Sequence, residues 1–172
     1  LLQSIGGKAM GLSGVDGHMI EARMLDEKLG FVGEITSITC SPITDLLEKD
    51  YIPVIATVGC DKQGNLFNIN ADTAAAKIAS ALGAESLISM TDTKGILRDK
   101  DDESSLIPEI KIKDAPKLIA QGIISGGMIP KIECCISAIR EGVKKVTIID
   151  GRVPHSILIE ILTDEGIGTM FI

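Results

Sequence analysis

The 172-residue chain has no tryptophan, one tyrosine and three phenylalanines. A protein that stacks nucleic-acid bases on aromatic rings needs more of them. Lysine and arginine together number 17 against 24 acidic residues, for a net charge of −7, and they form no basic stripe. Nucleic acid is therefore not an expected partner. Any anionic ligand must be held by local devices, such as single lysines and helix N-termini. The four cysteines, Cys40, Cys60, Cys134 and Cys135, make no CxxC pair and no cluster with histidine. Neither a metal site nor a disulfide framework is read from them, and free thiols in a reducing compartment are expected. No apolar run approaches the roughly 20 residues that a membrane-spanning helix needs, so no membrane partner is expected. His18 and His155 lie far apart, with no serine or cysteine nucleophile motif, which removes a catalytic triad. The Walker A pattern GxxxxGK[ST] is also missing.

What is present is apolar residues, at 45%, and 18 glycines. That combination supports a sizeable core with close backbone approach, and the length suits one domain or the larger part of two. Strand-like and helix-like segments alternate along the chain. "KAMGLSG", "MIEARML", "FVGEITSIT", "YIPVIATVG", "GNLFNI", "ESLISMTD", "KKVTIIDG" and "GTMFI" read as strands. "YIPVIATVG" is one continuous apolar run of the kind that parallel sheets bury on both faces. "SPITDLLEKD" reads as a helix capped by Ser41, with Pro42 in its first position. Further helices are "NADTAAAKIASALGA", "APKLIAQG", "MIPKIECCISAIREG" and "PHSILIEILTDEG", the last with Pro154 in its first turn. The alternation predicts an α/β protein with a mainly parallel sheet covered by helices on both faces. "LRDKDDESSLIPE" reads as a charged surface excursion.

Open α/β sheets gather ligands outside the carboxyl ends of their strands. Three such places carry chemistry. In "NINADTAAAK", Asn68, Asn70 and Asp72 sit where a strand gives way to a helix. Asn70 and Asp72 suit a cap and a dipole partner, or they serve a polar substrate at the mouth of a buried helix. In "SMTDTKGIL", an apolar strand ends in hydroxyls, a lysine and Gly95, either an ordinary polar turn or a ligand loop. In "GIISGGMIPK", Ser125, Gly126 and Gly127 allow close backbone approach, and Lys131 stands near a helix start. A lysine at that positive end of a helix is well placed only beside an anion, and phosphate is the obvious one. A plain surface lysine is the alternative.

Taken together, "GGKAMGLSGVDG", "LGFVGEI", "YIPVIATVG", "NINADTAAAKIASALGA", "LISMTDTKGIL", "LIAQGIISGGMIPKI" and "VTIIDGRVPHSILIEILTDEGIGTMF" resemble the N-acetyl-L-glutamate kinases of the amino acid kinase superfamily. They occur in the family's order over nearly the whole chain. The resemblance implies a three-layer αβα fold and transfer of the ATP γ-phosphoryl group to the γ-carboxylate of N-acetyl-L-glutamate in arginine biosynthesis. Another superfamily kinase, for uridylate, glutamate or carbamate, is the nearest alternative, followed by a non-catalytic amino-acid-sensing or assembly module. The resemblance further implies that Asn68 binds acetylglutamate, that Asp72 organises the catalytic lysines, and that Lys131 stabilises the transferring phosphoryl group. Asp92, Thr93, Lys94, Gly95, Ile96 and Leu97, with Ile123, Ile124 and Ser125, would contact the nucleotide. Glu160 and Gly166 match residues that bind an arginine effector. ATP with accompanying Mg2+, a homo-oligomer and a cytoplasmic location (plastid in a photosynthetic eukaryote) are implied as well. Residues 1–83 would be the remainder of the amino-acid lobe and 84–172 the nucleotide lobe. The family's glycine-rich opening loop, its second catalytic lysine and its substrate-holding arginine have no match in this sequence. An amino-terminal portion is therefore expected to be missing, and the chain alone is expected not to catalyse.

Overall fold

A computed structural model describes residues 1–163 and 166–172. The chain forms two compact units, Leu1–Leu82 and Gly83–Ile172.

The first unit holds β1 (Ala9–Ser13), β2 (Ile20–Met24), β3 (Gly33–Ile38), α1 (Ser41–Leu47), β4 (Ile52–Ala56), β5 (Val58–Cys60), β6 (Leu66–Asn68) and α2 (Ala71–Leu82). β1 and β4 pair in parallel as a two-stranded sheet, and a second sheet runs β3-β2-β5-β6. The expected continuous strand "YIPVIATVG" is in fact two strands in different sheets, broken at Thr57. It is also not buried on both faces, because Ile52 and Val54 are half exposed. Strict alternation fails as well: β2 runs antiparallel to β3, and β5 to β6. Short turns joining these strands leave no room for a crossover helix, which parallel neighbours require.

Ser41 does not cap α1. It is the first helical residue, Cys40 holds the cap position without a side-chain bond, and Pro42 occupies the first turn. In α2 the cap is real: Asn70 Oδ1 accepts from the Thr73 N–H at 3.1 Å and from its hydroxyl at 3.3 Å. Ala74 and Ile78 present one apolar face of α2 to Met19, Ile20, Ala22, Ile43, Phe67 and Ile69. Fully burying side chains such as Ile20 stabilises by about 1.5–3 kcal/mol each. The alanines let the helix lie close to the sheet that ends in Asn68.

The second unit holds β7 (Ser86–Thr91), β8 (Glu109–Ile110), α3 (Ala115–Ala120), α4 (Met128–Arg140), β9 (Lys145–Asp150), α5 (Ser156–Leu162) and β10 (Thr169–Phe171). Its sheet runs β7-β9-β10-β8. β7 and β9 are parallel over six register pairs, from Ser86 with Lys145 to Thr91 with Asp150. β9 is a central strand, buried from Val146 to Asp150, which suits its Val146, Ile148 and Ile149 on both faces. β10 returns antiparallel to β9 and pairs in parallel with β8. β8 begins at Glu109, the last residue of the expected charged excursion. α4 buries Ile132, Cys135 and Ala138, a helical spacing on one face. Pro154 precedes α5 instead of opening it, and exposed His155 takes the cap position at φ 60. No closed barrel forms among the described residues, and none of their helices is long and apolar enough to cross a membrane.

Candidate functional site

The parallel pair β7 and β9 ends at Thr91 and Asp150, which are register partners. Both connections beyond them therefore leave from the same carboxyl edge, where α/β proteins collect ligands. After β7 the chain reverses on a hydroxyl turn: the Thr93 N–H donates to Thr91 Oγ1 at 2.8 Å. Gly95 follows at φ 128, a backbone region that side chains avoid. A Cβ there would lie 2.6 Å from Thr169 Oγ1. That hydroxyl is fully buried and works in both directions, accepting from the Ile96 N–H at 2.8 Å and donating to the Ile107 carbonyl at 2.7 Å. The Ile107 N–H in turn donates to Ile96 O at 2.8 Å. The loop is thus anchored from below by one threonine of β10.

Above this anchor lies a cavity of about 420 Å³ lined by Thr93, Lys94, Gly95, Ile96, Leu97, Lys100, Glu103, Ile123, Ser125, Met128 and Arg152. The residues expected from Thr93 to Leu97, together with Ile123 and Ser125, converge here from two distant stretches of sequence. Asp92 and Ile124 do not line it, and Ile124 is 1% exposed, its side chain part of the core. The volume falls within the range of small-molecule sites.

Lys100, Glu103, Met128 and Arg152 are residues that sequence reasoning missed. Arg152 is the most telling. The buried Asp150 carboxylate accepts from Arg152 Nε at 3.0 Å, from Nη2 at 2.9 Å and from the backbone N–H at 2.9 Å. This fork, reinforced by the Lys94 charge, holds the Asp150 carboxyl down to about 2. Asp150, and secondarily Asp92, raises the Arg152 guanidinium. A guanidinium gripped in this way is a preorganised cation at the cavity. Its signal was the spacing in "IIDGR", an acid at a strand end with arginine two residues on. Lys94 is held too, its Nζ 2.5 Å from Glu103 Oε2.

Lys131 is the fourth residue of α4 and is half-buried. The Met128 and Ile129 N–H groups bond back to the Ser125 and Gly126 carbonyls at 3.2 Å each. Those first-turn donors are therefore committed, and Lys131 follows the Ser125-Gly126-Gly127 segment by one helical turn. In the first unit, Asn68 ends β6 exposed, Asn70 caps α2, and Asp72 lies half-buried in its first turn. Among the described residues no cluster of three or more His, Cys, Asp or Glu could hold a metal ion.

At the tail, Glu160 and Gly166 are brought together. Glu160 Oε2 accepts from the Ile167 N–H at 3.0 Å, and Gly166 sits at φ 65 against the same carboxylate. Asp164 and Glu165 of "TDEGIGTMF" lie outside the described residues.

These features define an α/β protein with a cation-lined small-molecule site at the carboxyl edge of parallel strands. The sequence model of the Amino acid kinase family matches residues 1–150, and the chain belongs to that family. Its fold is three-layer α/β with mostly parallel sheets, as the sequence implied. An acetylglutamate kinase of Brachyspira hyodysenteriae is 55% identical over 172 residues, covering 99% of this chain and 60% of the relative. The structure of smu.665 from Streptococcus mutans UA159 matches 99% of this chain and 63% of its own, at 33% identity and a TM-score of 0.80. N-acetylglutamate synthase from Neisseria gonorrhoeae, complexed with coenzyme A and N-acetyl-glutamate, matches 93% of this chain and 37% of its own, at 26% identity and a TM-score of 0.81. The chain spans about 60% of the length of the curated relatives it matches.

Proposed function

We propose that this polypeptide is part of an acetylglutamate kinase, which moves the ATP γ-phosphoryl group to the γ-carboxylate of N-acetyl-L-glutamate in arginine biosynthesis. The observation that carries this reading is the 420 Å³ cavity, which gathers Thr93 to Leu97, Ile123 and Ser125 around two anchored cations. The second unit is then the nucleotide lobe and the first the amino-acid lobe. Lys94 and Arg152 meet the nucleotide phosphates, while Ile96, Leu97, Ile123 and Met128 offer apolar contact to its base and sugar. Lys131 neutralises charge on the phosphoryl group during transfer, and Asp72 orients the cationic groups. Asn68 holds the amino-acid substrate.

Such transfer asks for positioning and charge neutralisation more than for covalent chemistry, and these residues supply both. Mg2+ would arrive with the nucleotide, ligated by its phosphates and by water, and would offset its charge. Glu160 and Gly166 form the effector site for arginine, whose guanidinium suits a carboxylate. A homo-oligomer working in the cytoplasm completes the reading.

Titrating ADP into the isotope-labelled 172-residue chain and following backbone amide shifts tests the nucleotide assignment. The largest shifts are expected at Thr93 to Leu97, Ile123 to Ser125 and Arg152. Shifts confined to other segments would overturn it.

A further inference from the structure

A second cavity in the same unit, about 590 Å³, is not used by the reading above. Its floor is apolar, with Ile107 at 7% and Ile110 at 3% exposure, and Leu118 half-buried beside them. Its walls carry Arg98, Lys111, Lys113 and Lys117, against the carboxylates of Glu109 and Asp114. These cations come from three segments: the loop after β7, the turn between β8 and α3, and α3 itself.

The lining carries four cations against two carboxylates. Three other cations of the unit are paired: Lys94 with Glu103, Lys144 with Glu85, and Arg152 with Asp150. None of the four cations here makes an ion pair with another described residue. A chain with net charge −7 thus concentrates a local excess of positive charge around one concave, apolar-floored site. A cleft lined by one sign of charge with low-dielectric walls focuses the field and raises the local concentration of counter-ions. The two cavities also share a ladder: Ile96 and Leu97 line the first, Arg98 and Ile107 the second.

We infer that this cavity is a second ligand site, separate from the nucleotide cavity, for a small organic polyanion. The ligand class is a compact body bearing two or more carboxylate or phosphate groups, its charges met by Arg98, Lys111, Lys113 and Lys117. Its less polar body rests on Ile107, Ile110 and Leu118. The volume admits a molecule of metabolite size.

The test is calorimetric titration of the 172-residue chain, already saturated with ADP, with inorganic pyrophosphate and separately with citrate at low ionic strength. Saturable binding of either at one equivalent is expected, weakening as salt rises. Lys111→Gln with Lys117→Gln should weaken it about tenfold, the scale of two lost charge contacts, and leave ADP affinity unchanged. Pyrophosphate alone binding identifies phosphate as the recognised group, and citrate alone identifies carboxylate. Absence of binding by both, or binding untouched by the double variant but lost with Arg152→Gln, would overturn the inference. The second result would assign the anion to the nucleotide cavity instead. Circular dichroism of the double variant checks its fold; should it not fold, Lys113→Gln with Arg98→Gln makes the same test.

Discussion

Replacing Gly95 with alanine attacks the point where the loop after β7 is fastened to its sheet. The backbone at φ 128 is open to glycine but strained for other residues, by about 1–3 kcal/mol. The new Cβ would stand 2.6 Å from Thr169 Oγ1, 2.9 Å from Leu106 Cδ1 and 3.1 Å from Thr169 N. Leu106 can swing its methyl aside. Thr169 cannot move freely, because its hydroxyl is bonded to Ile96 and Ile107 and its side chain is fully buried. Displacing it leaves a buried donor or acceptor unmet, at about 1–3 kcal/mol. The sum, about 2–6 kcal/mol, is large against the roughly 5–15 kcal/mol stability of a domain. Urea unfolding of the 172-residue chain, followed by far-UV circular dichroism, should show a lowered midpoint with little change in slope. Gly122→Ala is the matched control, with positive φ of 74 but no atom within 4 Å of the added Cβ. It should lose only the backbone part, about 1–2 kcal/mol. Equal losses in the two variants would refute the packing argument.

In the complete enzyme, Lys131→Met should lower kcat about 10²- to 10³-fold with a much smaller change in KM, as for a lost oxyanion donor; steady-state kinetics with near-normal kcat would remove Lys131 from the chemistry. Asp72→Asn should depress turnover and leave the melting temperature unchanged, whereas Asn70→Ala, which deletes the α2 cap, should cost about 0.5–2 kcal/mol of stability. Unfolding of Asp72→Asn with activity lost only in proportion would make that carboxylate structural. The Asp150 carboxyl titrates at about 2 in the folded chain, below its ordinary range near 3.9 when unfolded. Its stabilisation is therefore complete above about pH 4 and fades as the pH falls toward 2; acid titrations should show a shallower slope for Asp150→Asn in that window. By the proposed effector reading, arginine inhibits the kinase reaction and Glu160→Ala relieves that inhibition; an arginine titration in which wild type and variant respond alike would end that assignment.

The helices were the most readable part of the sequence. α2 announces itself by Asn70, a run of alanines and a terminal glycine, all local chemistry, and β9 by the β-branched stretch Val146 to Ile149. What the sequence hid depends on partners elsewhere in the chain. Nothing at Thr57 signals that one apolar run serves two sheets. β8 is two residues long and exists because β10 arrives beside it. Ser41 and Pro154 look like helix openers, but neighbouring backbone moved each boundary by a residue or two. At the candidate site, the segments around Gly95 and Ser125 were visible as strand-end and glycine-pair motifs. Arg152 was not, since its value comes from burial of Asp150 beside Thr91, a tertiary fact. The start of α4 adds a fact that the sequence does not carry: the Met128 and Ile129 N–H groups are spent on the Ser125 and Gly126 carbonyls.

The central claim is the reaction, and one assay meets it directly. Purified full-length gene product is supplied with ATP and Mg2+, and ADP release is coupled to an oxidation signal in parallel reactions containing N-acetyl-L-glutamate, glutamate, uridylate or carbamate. ADP release that depends on N-acetyl-L-glutamate is expected, accompanied by an acyl phosphate trapped as its hydroxamate. ADP release driven by one of the other acceptors, with none from N-acetyl-L-glutamate, would contradict it.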